Sequence, residues 1–194
     1  MKLTHVEAAV LCGGASTRMG RDKATLLYEG VPLARRVAEA LGACVERVRL
    51  VAKTPHESLA ALGYELVVDR HPEAAAMVGV AAALAASSAP AVFVAACDLP
   101  FADPRVALAL LALAPVDGAA DVIAPAGPRG VEPLFAIYRT RLLPELERRI
   151  ARGALGLQAL VREVANLVVP ESALRALDPT LRSLRNANSP DDLR

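Results

Sequence analysis

Apolar positions along the chain follow two rhythms. Short, nearly unbroken apolar runs at residues 8–12, 48–52, 65–68 and 91–96 read as buried strands. Between them lie stretches with a helical period. Leu33, Val37, Ala38 and Leu41 make a stripe that begins just after Pro32, and Pro55 opens a short helix to about residue 62. Residues 74–86 are an alanine-rich helix, and Asp103-Pro104 supplies a cap and a first-turn proline for a helix to about residue 114. Strands this apolar, alternating with helices, predict α/β architecture: a mostly parallel sheet with helices on both faces, in three layers. The second half is less regular. It reads as strands at 122–124 and 134–138, helices at 140–152 and 157–164, a last strand at 167–169, and a short helix capped by Ser189-Pro190-Asp191-Asp192. No repeat or linker interrupts the pattern, so the 194 residues are expected to form a single domain.

Composition sharpens this picture in two places. Three Phe, three Tyr and no Trp mean an aliphatic core, and argue against a platform that stacks bases. The net charge of +1 gives no electrostatic bias toward nucleic acid or a membrane surface. Arginines such as those of residues 145–152 alternate with carboxylates and read as a solvated helix face. Cys12, Cys44 and Cys97 lack metal-like or redox-like spacing and read as small buried residues, and His5, His56 and His71 show no ligand spacing. Residues 1–7 do not resemble a secretory leader, and the apolar stretch 78–96 is split by Ser87, Ser88 and Pro90, so a cytoplasmic location is expected.

The chemistry-bearing residues follow the strands. In an open parallel sheet, ligands bind beyond the carboxyl ends of the strands. Three features fall there: the loop after the first strand, Asp69 after the third and Asp98 after the fourth. The loop runs Leu11-Cys12-Gly13-Gly14-Ala15-Ser16-Thr17-Arg18-Met19-Gly20-Arg21-Asp22-Lys23. Adjacent glycines let bare backbone N–H groups approach an anion, while Arg18 and Lys23 add a forked and a point-like cation. These are the requirements for holding a triphosphate, though the motif is neither a Walker loop nor a dinucleotide fingerprint. Asp98 is placed to hold a magnesium ion, and Asp69 to accept a hydrogen bond from a base or sugar or to cap a turn. Asn186 and Asn188 flank Ala187 and would share a face of an extended segment, where they would orient a ligand or begin a turn.

These motifs, with Gly30-Val31-Pro32-Leu33, Cys97-Asp98-Leu99-Pro100-Phe101, Pro133-Leu134-Phe135-Ala136-Ile137-Tyr138 and residues 186–193, resemble the molybdenum cofactor guanylyltransferases, and in the same order over nearly the whole chain. The resemblance implies a Rossmann-like sheet of the nucleotidyltransferase type, with nucleotide binding in about residues 1–115 and acceptor binding in about 116–194. It implies GTP and molybdopterin as substrates, a magnesium ion, and proteins that hand the molybdenum cofactor on. Leu11, Cys12, Gly13 and Gly14 would contact the nucleotide, with Arg18 and Lys23 at its phosphates. Asp69 would lie by the guanosine, Asp98 would bind the metal, and Asn186 and Asn188 would sit near the metal or the molybdopterin. The chain departs from the pattern at Cys12, at Val51 (where an amide is expected after the second strand), at Ala75–Gly79 and at Glu132. A cytidylyl or sugar-phosphate transferase, or a nucleotide-binding paralogue without turnover, are the alternative readings.

Overall fold

A computed structural model describes residues 2–13, 23–54, 57–187 and 190–193. Gly14, Arg18, Pro55, His56, Asn188 and Ser189 lie outside the described residues. In chain order the elements are β1 (Val6–Leu11), β2 (Leu27–Tyr28), β3 (Val31–Pro32), α1 (Leu33–Gly42), β4 (Val48–Ala52), α2 (Glu57–Ala60), β5 (Glu65–Val68), α3 (Ala76–Ala86), β6 (Ala91–Ala96), α4 (Pro104–Leu111), β7 (Val122–Gly127), β8 (Gly130–Val131), β9 (Phe135–Arg139), α5 (Leu143–Ala151), α6 (Leu157–Glu163), β10 (Asn166–Val169) and α7 (Glu171–Arg175). The main strands run in the order β10-β7-β9-β6-β1-β4-β5, with β8 folded against β7. Every neighbouring pair in that order is parallel except the two made by β9, which runs antiparallel to β6 and β7. The two halves of the chain therefore share one sheet, joined where β9 pairs with β6.

The layers follow from strand alternation. Ala8 and Val10 of β1 face one side, where Val37 and Leu41 of α1, Leu110 of α4 and Leu174 of α7 cover them. Ala9 and Leu11 face the other, against Met77 and Leu84 of α3, Leu146 of α5 and Leu160 of α6. Both central strands, β1 and β6, are buried along their whole length, with Glu7 of β1 the one charged residue among their apolar side chains. The α1 stripe buries Leu33, Val37, Ala38 and Leu41 as read from its spacing. Asp103 caps α4 by accepting from the Arg105 N–H at 2.8 Å. All three cysteines are free and buried, and burial pushes the Cys44 thiol up from its ordinary pKa. No helix among the described residues is long and apolar enough to cross a membrane.

Several boundaries differ from the sequence reading. The alanine-rich helix begins at Ala76, and α4 stops at Leu111. Thr140–Leu142 form a tight 3-10 turn before α5, with the Thr140 N–H donating to the Pro90 carbonyl at 3.0 Å. The β2–β3 hairpin turns at Glu29 and Gly30, both with positive φ. That is the primed-turn conformation, which glycine adopts readily and glutamate rarely.

Toward the amino-terminal ends of the strands sits a row of charge centred on the buried Glu7–Arg49 pair. Arg49 of β4 donates to Glu7 of β1 and, at 2.9 Å, to Glu65 of β5. Ser87 and Ser88, just past α3, also donate to Glu7, at 2.7 and 3.1 Å. Burial would raise the Glu7 pKa, but these hydroxyl and guanidinium donors outweigh it and hold the carboxyl below its ordinary value of 4.5. Its contribution to stability is therefore complete at neutral pH and is lost as pH falls through the lowered value. Arg49→Leu leaves Glu7 without its buried counter-charge and is expected to cost about 3 kcal/mol in urea denaturation at pH 7. Glu7→Gln is expected to flatten the acid limb of the stability profile.

Candidate active site at the carboxyl edge of the sheet

The parallel strands end along one edge, and the backbone ladder continues one residue past three of them. The Cys12 N–H donates to the Val51 carbonyl at 2.7 Å, that of Asp69 to Ala52 at 2.9 Å, and that of Cys97 to Leu11 at 3.0 Å. These bonds fix the first residue of each loop. Leu11, Cys12, Gly13, Lys23, Asp69 and Asp98 line one cleft of about 470 Å³. Asn186 reaches the same cleft from the far end of the chain. Six of the residues singled out from sequence in the first half of the chain, together with Asn186, thus converge.

Asp98 is the hub of the polar wall. Its Oδ2 faces Lys23 Nζ at 3.5 Å, and its Oδ1 accepts from Asn186 Nδ2 at 3.1 Å. Its carbonyl accepts from the Ala187 N–H at 2.8 Å, which docks the C-terminal segment on the β6 loop. The Asn186 Oδ1 accepts in turn from Arg129 Nη2 at 2.9 Å. The amide thus presents its N–H, rather than its oxygen, to Asp98. The Asp98 and Lys23 side chains are about one-fifth exposed, so the pair is open to a ligand.

The other end of the cleft is apolar, lined by Leu11, Val51, Ala75 and Gly79. Gly79 lets α3 approach β1 here: a Cβ at that position would stand 3.3 Å from both Leu11 methyls. Val51 lies inside β4, paired with Leu11 and Val67, and the residue that follows the strand is Lys53. Lys53 spends its three ammonium donors on the loop after β5. It meets Asp69 Oδ2 at 3.3 Å, the His71 carbonyl, and the Glu73 carbonyl at 2.8 Å. Asp69 Oδ1 accepts from the His71 N–H at 2.9 Å. Asp69 is thus held as both a turn cap and a buried counter-ion, with its side chain 7% exposed.

The facing wall comes from the second half of the chain. Because β9 runs backward, its beginning meets the cleft, and Leu134 lines it. The Ala96 N–H donates to the Leu134 carbonyl at 3.0 Å, and the buried Tyr138 hydroxyl donates to the Pro133 carbonyl at 2.7 Å. Glu132 packs on the β7–β8 hairpin beside Gly127. Burial raises its carboxyl pKa, partly opposed by Arg129.

A family profile described as MobA-like NTP transferase domain matches residues 8–168. The chain belongs to this MobA-like family. It is 30% identical over 191 residues to the molybdenum cofactor guanylyltransferase of Desulfosudis oleivorans, covering 97% of this chain and 92% of that one. It superposes on the crystal structure of molybdopterin-guanine dinucleotide biosynthesis protein A from Archaeoglobus fulgidus with a TM-score of 0.81 and 30% identity, covering 96% and 94% of the two chains. The fold is shared with a CMP:2-keto-3-deoxy-manno-octonic acid synthetase complexed with CTP, at a TM-score of 0.64 and 16% identity over 92% and 100% of the chains. Like its relatives, this MobA-like chain is a nucleotidyltransferase.

Lys53 and Arg129 were not singled out as site residues from sequence. A lysine after a strand and an arginine in a hairpin look like ordinary surface charge, and their partners are distant in the chain. Lys53→Met leaves the loop after β5 untied and removes the counter-charge of Asp69. Nucleotide affinity, measured by calorimetry, is expected to fall about tenfold, with Lys53→Arg recovering part of it.

Proposed function

We propose that the protein transfers GMP from GTP to molybdopterin, releasing pyrophosphate and forming the guanine dinucleotide cofactor. The observation that carries this reading is Asp98 at the carboxyl edge. It stands beside Lys23, in a cleft that also meets the acceptor half of the chain. Near-full-length similarity to a molybdenum cofactor guanylyltransferase supplies the base and the acceptor.

In this reading Leu11, Cys12, Gly13 and Gly14 hold the nucleotide, Arg18 and Lys23 its phosphates, and Asp69 lies by the guanosine. Asn186 and Asn188 line the acceptor side near the metal. An oxygen of the acceptor's terminal phosphate forms a bond to the α-phosphorus of GTP. The bond from that phosphorus to the oxygen bridging to the β-phosphate breaks, and pyrophosphate leaves with the electron pair. The attacking phosphate is already ionised at neutral pH, so the protein need not supply a base. It supplies positioning and fixed positive charge.

A divalent ion fits the donor set. Asp98 is a single carboxylate whose two oxygens each accept one described contact, with further lone pairs to offer. Magnesium is commonly held by one or two carboxylates together with substrate phosphates, and no cluster of three or more acidic, His or Cys ligands occurs among the described residues. When bound, the ion neutralises phosphate charge. The reaction belongs in the cytoplasm, with molybdopterin passed on by other proteins of the cofactor's synthesis.

Asp98→Ala is expected to lower pyrophosphate release by on the order of a hundredfold or more while leaving the melting temperature within a few degrees. Near-wild-type turnover would overturn the role of Asp98. Thermal-shift measurements with magnesium and GTP, CTP, UTP or ATP are expected to show selective stabilisation by GTP; selective stabilisation by CTP would replace the choice of base.

A further inference from the structure

Two phosphate groups must meet for the proposed reaction, and each needs its own positive charge. Among the described residues the cations on the cleft wall are Lys23 and Lys53. Lys23 is paired with Asp98, and Lys53 is spent on Asp69 and the two carbonyls of the loop after β5. Both also belong to the nucleotide side, on segments that follow β1 and β4.

Arg129 differs in position and in use. It lies between β7 and β8, in the half of the chain that contributes Leu134 and Asn186 to the cleft. Its guanidinium is exposed and spends Nη2 on Asn186 Oδ1 at 2.9 Å. A guanidinium carries five donors in a planar fork that matches two oxygens of a phosphate. The hydrogen-bond chain Arg129–Asn186–Asp98 places that fork one amide away from the carboxylate expected to hold the nucleotide's metal ion. A phosphate bound there would lie beside Asn186, which lines the cleft. Glu132 is the neighbouring carboxylate that feels the Arg129 charge, and its burial disfavours the ionised form that would compete with a phosphate.

We propose that Arg129 binds the terminal phosphate of the acceptor and holds it against the nucleotide. The proposal rests on the reading of the acceptor as a molybdopterin phosphate, not on the choice of base. Arg129 is exposed on a hairpin, so its replacement is not expected to unfold the protein.

The test is direct binding of molybdopterin to the full chain without nucleotide, followed by pterin fluorescence, for wild type, Arg129→Ala and Arg129→Lys. GTP affinity is measured separately by calorimetry. Arg129→Ala is expected to weaken molybdopterin binding about tenfold or more, with GTP affinity within twofold of wild type. Arg129→Lys is expected to fall between, because a point charge replaces the fork. In turnover the same change is expected in the KM for molybdopterin and not in that for GTP. Equal molybdopterin binding by wild type and Arg129→Ala would overturn the proposal. So would an equal loss of affinity for both substrates, which would show that Arg129 acts through Asn186 on Asp98. If wild type itself does not bind molybdopterin, the reading of the acceptor fails and the proposal falls with it. Binding of molybdopterin that depends on Arg129 in a protein that prefers CTP would overturn the base and leave the proposal standing.

Discussion

Three backbone hydrogen bonds position the strand-end residues of the site. Each joins the first residue beyond a parallel strand to the end of the neighbouring strand: Cys12 to Val51, Asp69 to Ala52 and Cys97 to Leu11. A loop residue is usually free to move because its N–H can exchange protein for water. Here that N–H is committed to the ladder, and the side chains that follow inherit the rigidity of the sheet. Asp98 is one residue from such a bond, and Asp69 makes one itself. The carboxylates therefore need no dedicated packing to be brought together. Parallel pairing of β1 between β4 and β6, and of β4 with β5, does it, and the burial of β1 and β6 along their whole length holds that pairing in the middle of the sheet.

The two ends of the sheet use charge in opposite ways. Toward the amino ends, Glu7 and Arg49 are nearly inaccessible, and both are held by several partners. Such a cluster is costly to break and is closed to ligands. Toward the carboxyl ends, Lys23 and Asp98 are wider apart, partly wetted, and tied to Asn186 by a single amide contact. That looser arrangement can exchange an internal partner for a phosphate oxygen or an ion at small cost. The same residue types thus serve as a clasp at one edge and as a receptor at the other. Burial and the number of partners decide which.

Much of this was legible in the chain. The apolar runs gave the central strands, and the three-layer fold followed from their alternation with helices. Asp98 and Asp69 were legible because ligands bind beyond the carboxyl ends of parallel strands, although the turn-capping alternative for Asp69 is also realised. The direction of β9 was not legible, because a buried strand has the same pattern read either way. The β2–β3 hairpin was missed because Glu29-Gly30 lacks the asparagine or aspartate that marks a primed turn. The helix α7 is too short to show a period. Val51, where the family pattern puts an amide after the second strand, lies inside β4, and the residue that follows the strand is Lys53. Neither the Lys53 contacts nor the Arg129–Asn186 contact could be seen, since each depends on loops meeting in space.

The reversed strand β9 also divides the cleft in two. One wall is built at the carboxyl ends of β1, β4, β5 and β6, inside a continuous parallel ladder. The facing wall comes from Leu134, just before β9, and from Asn186, which Arg129 of the β7–β8 turn braces. Loops of that kind tolerate changes of length and sequence that a paired strand does not. The cleft is thus a rigid anvil facing a wall that can be recut on its own.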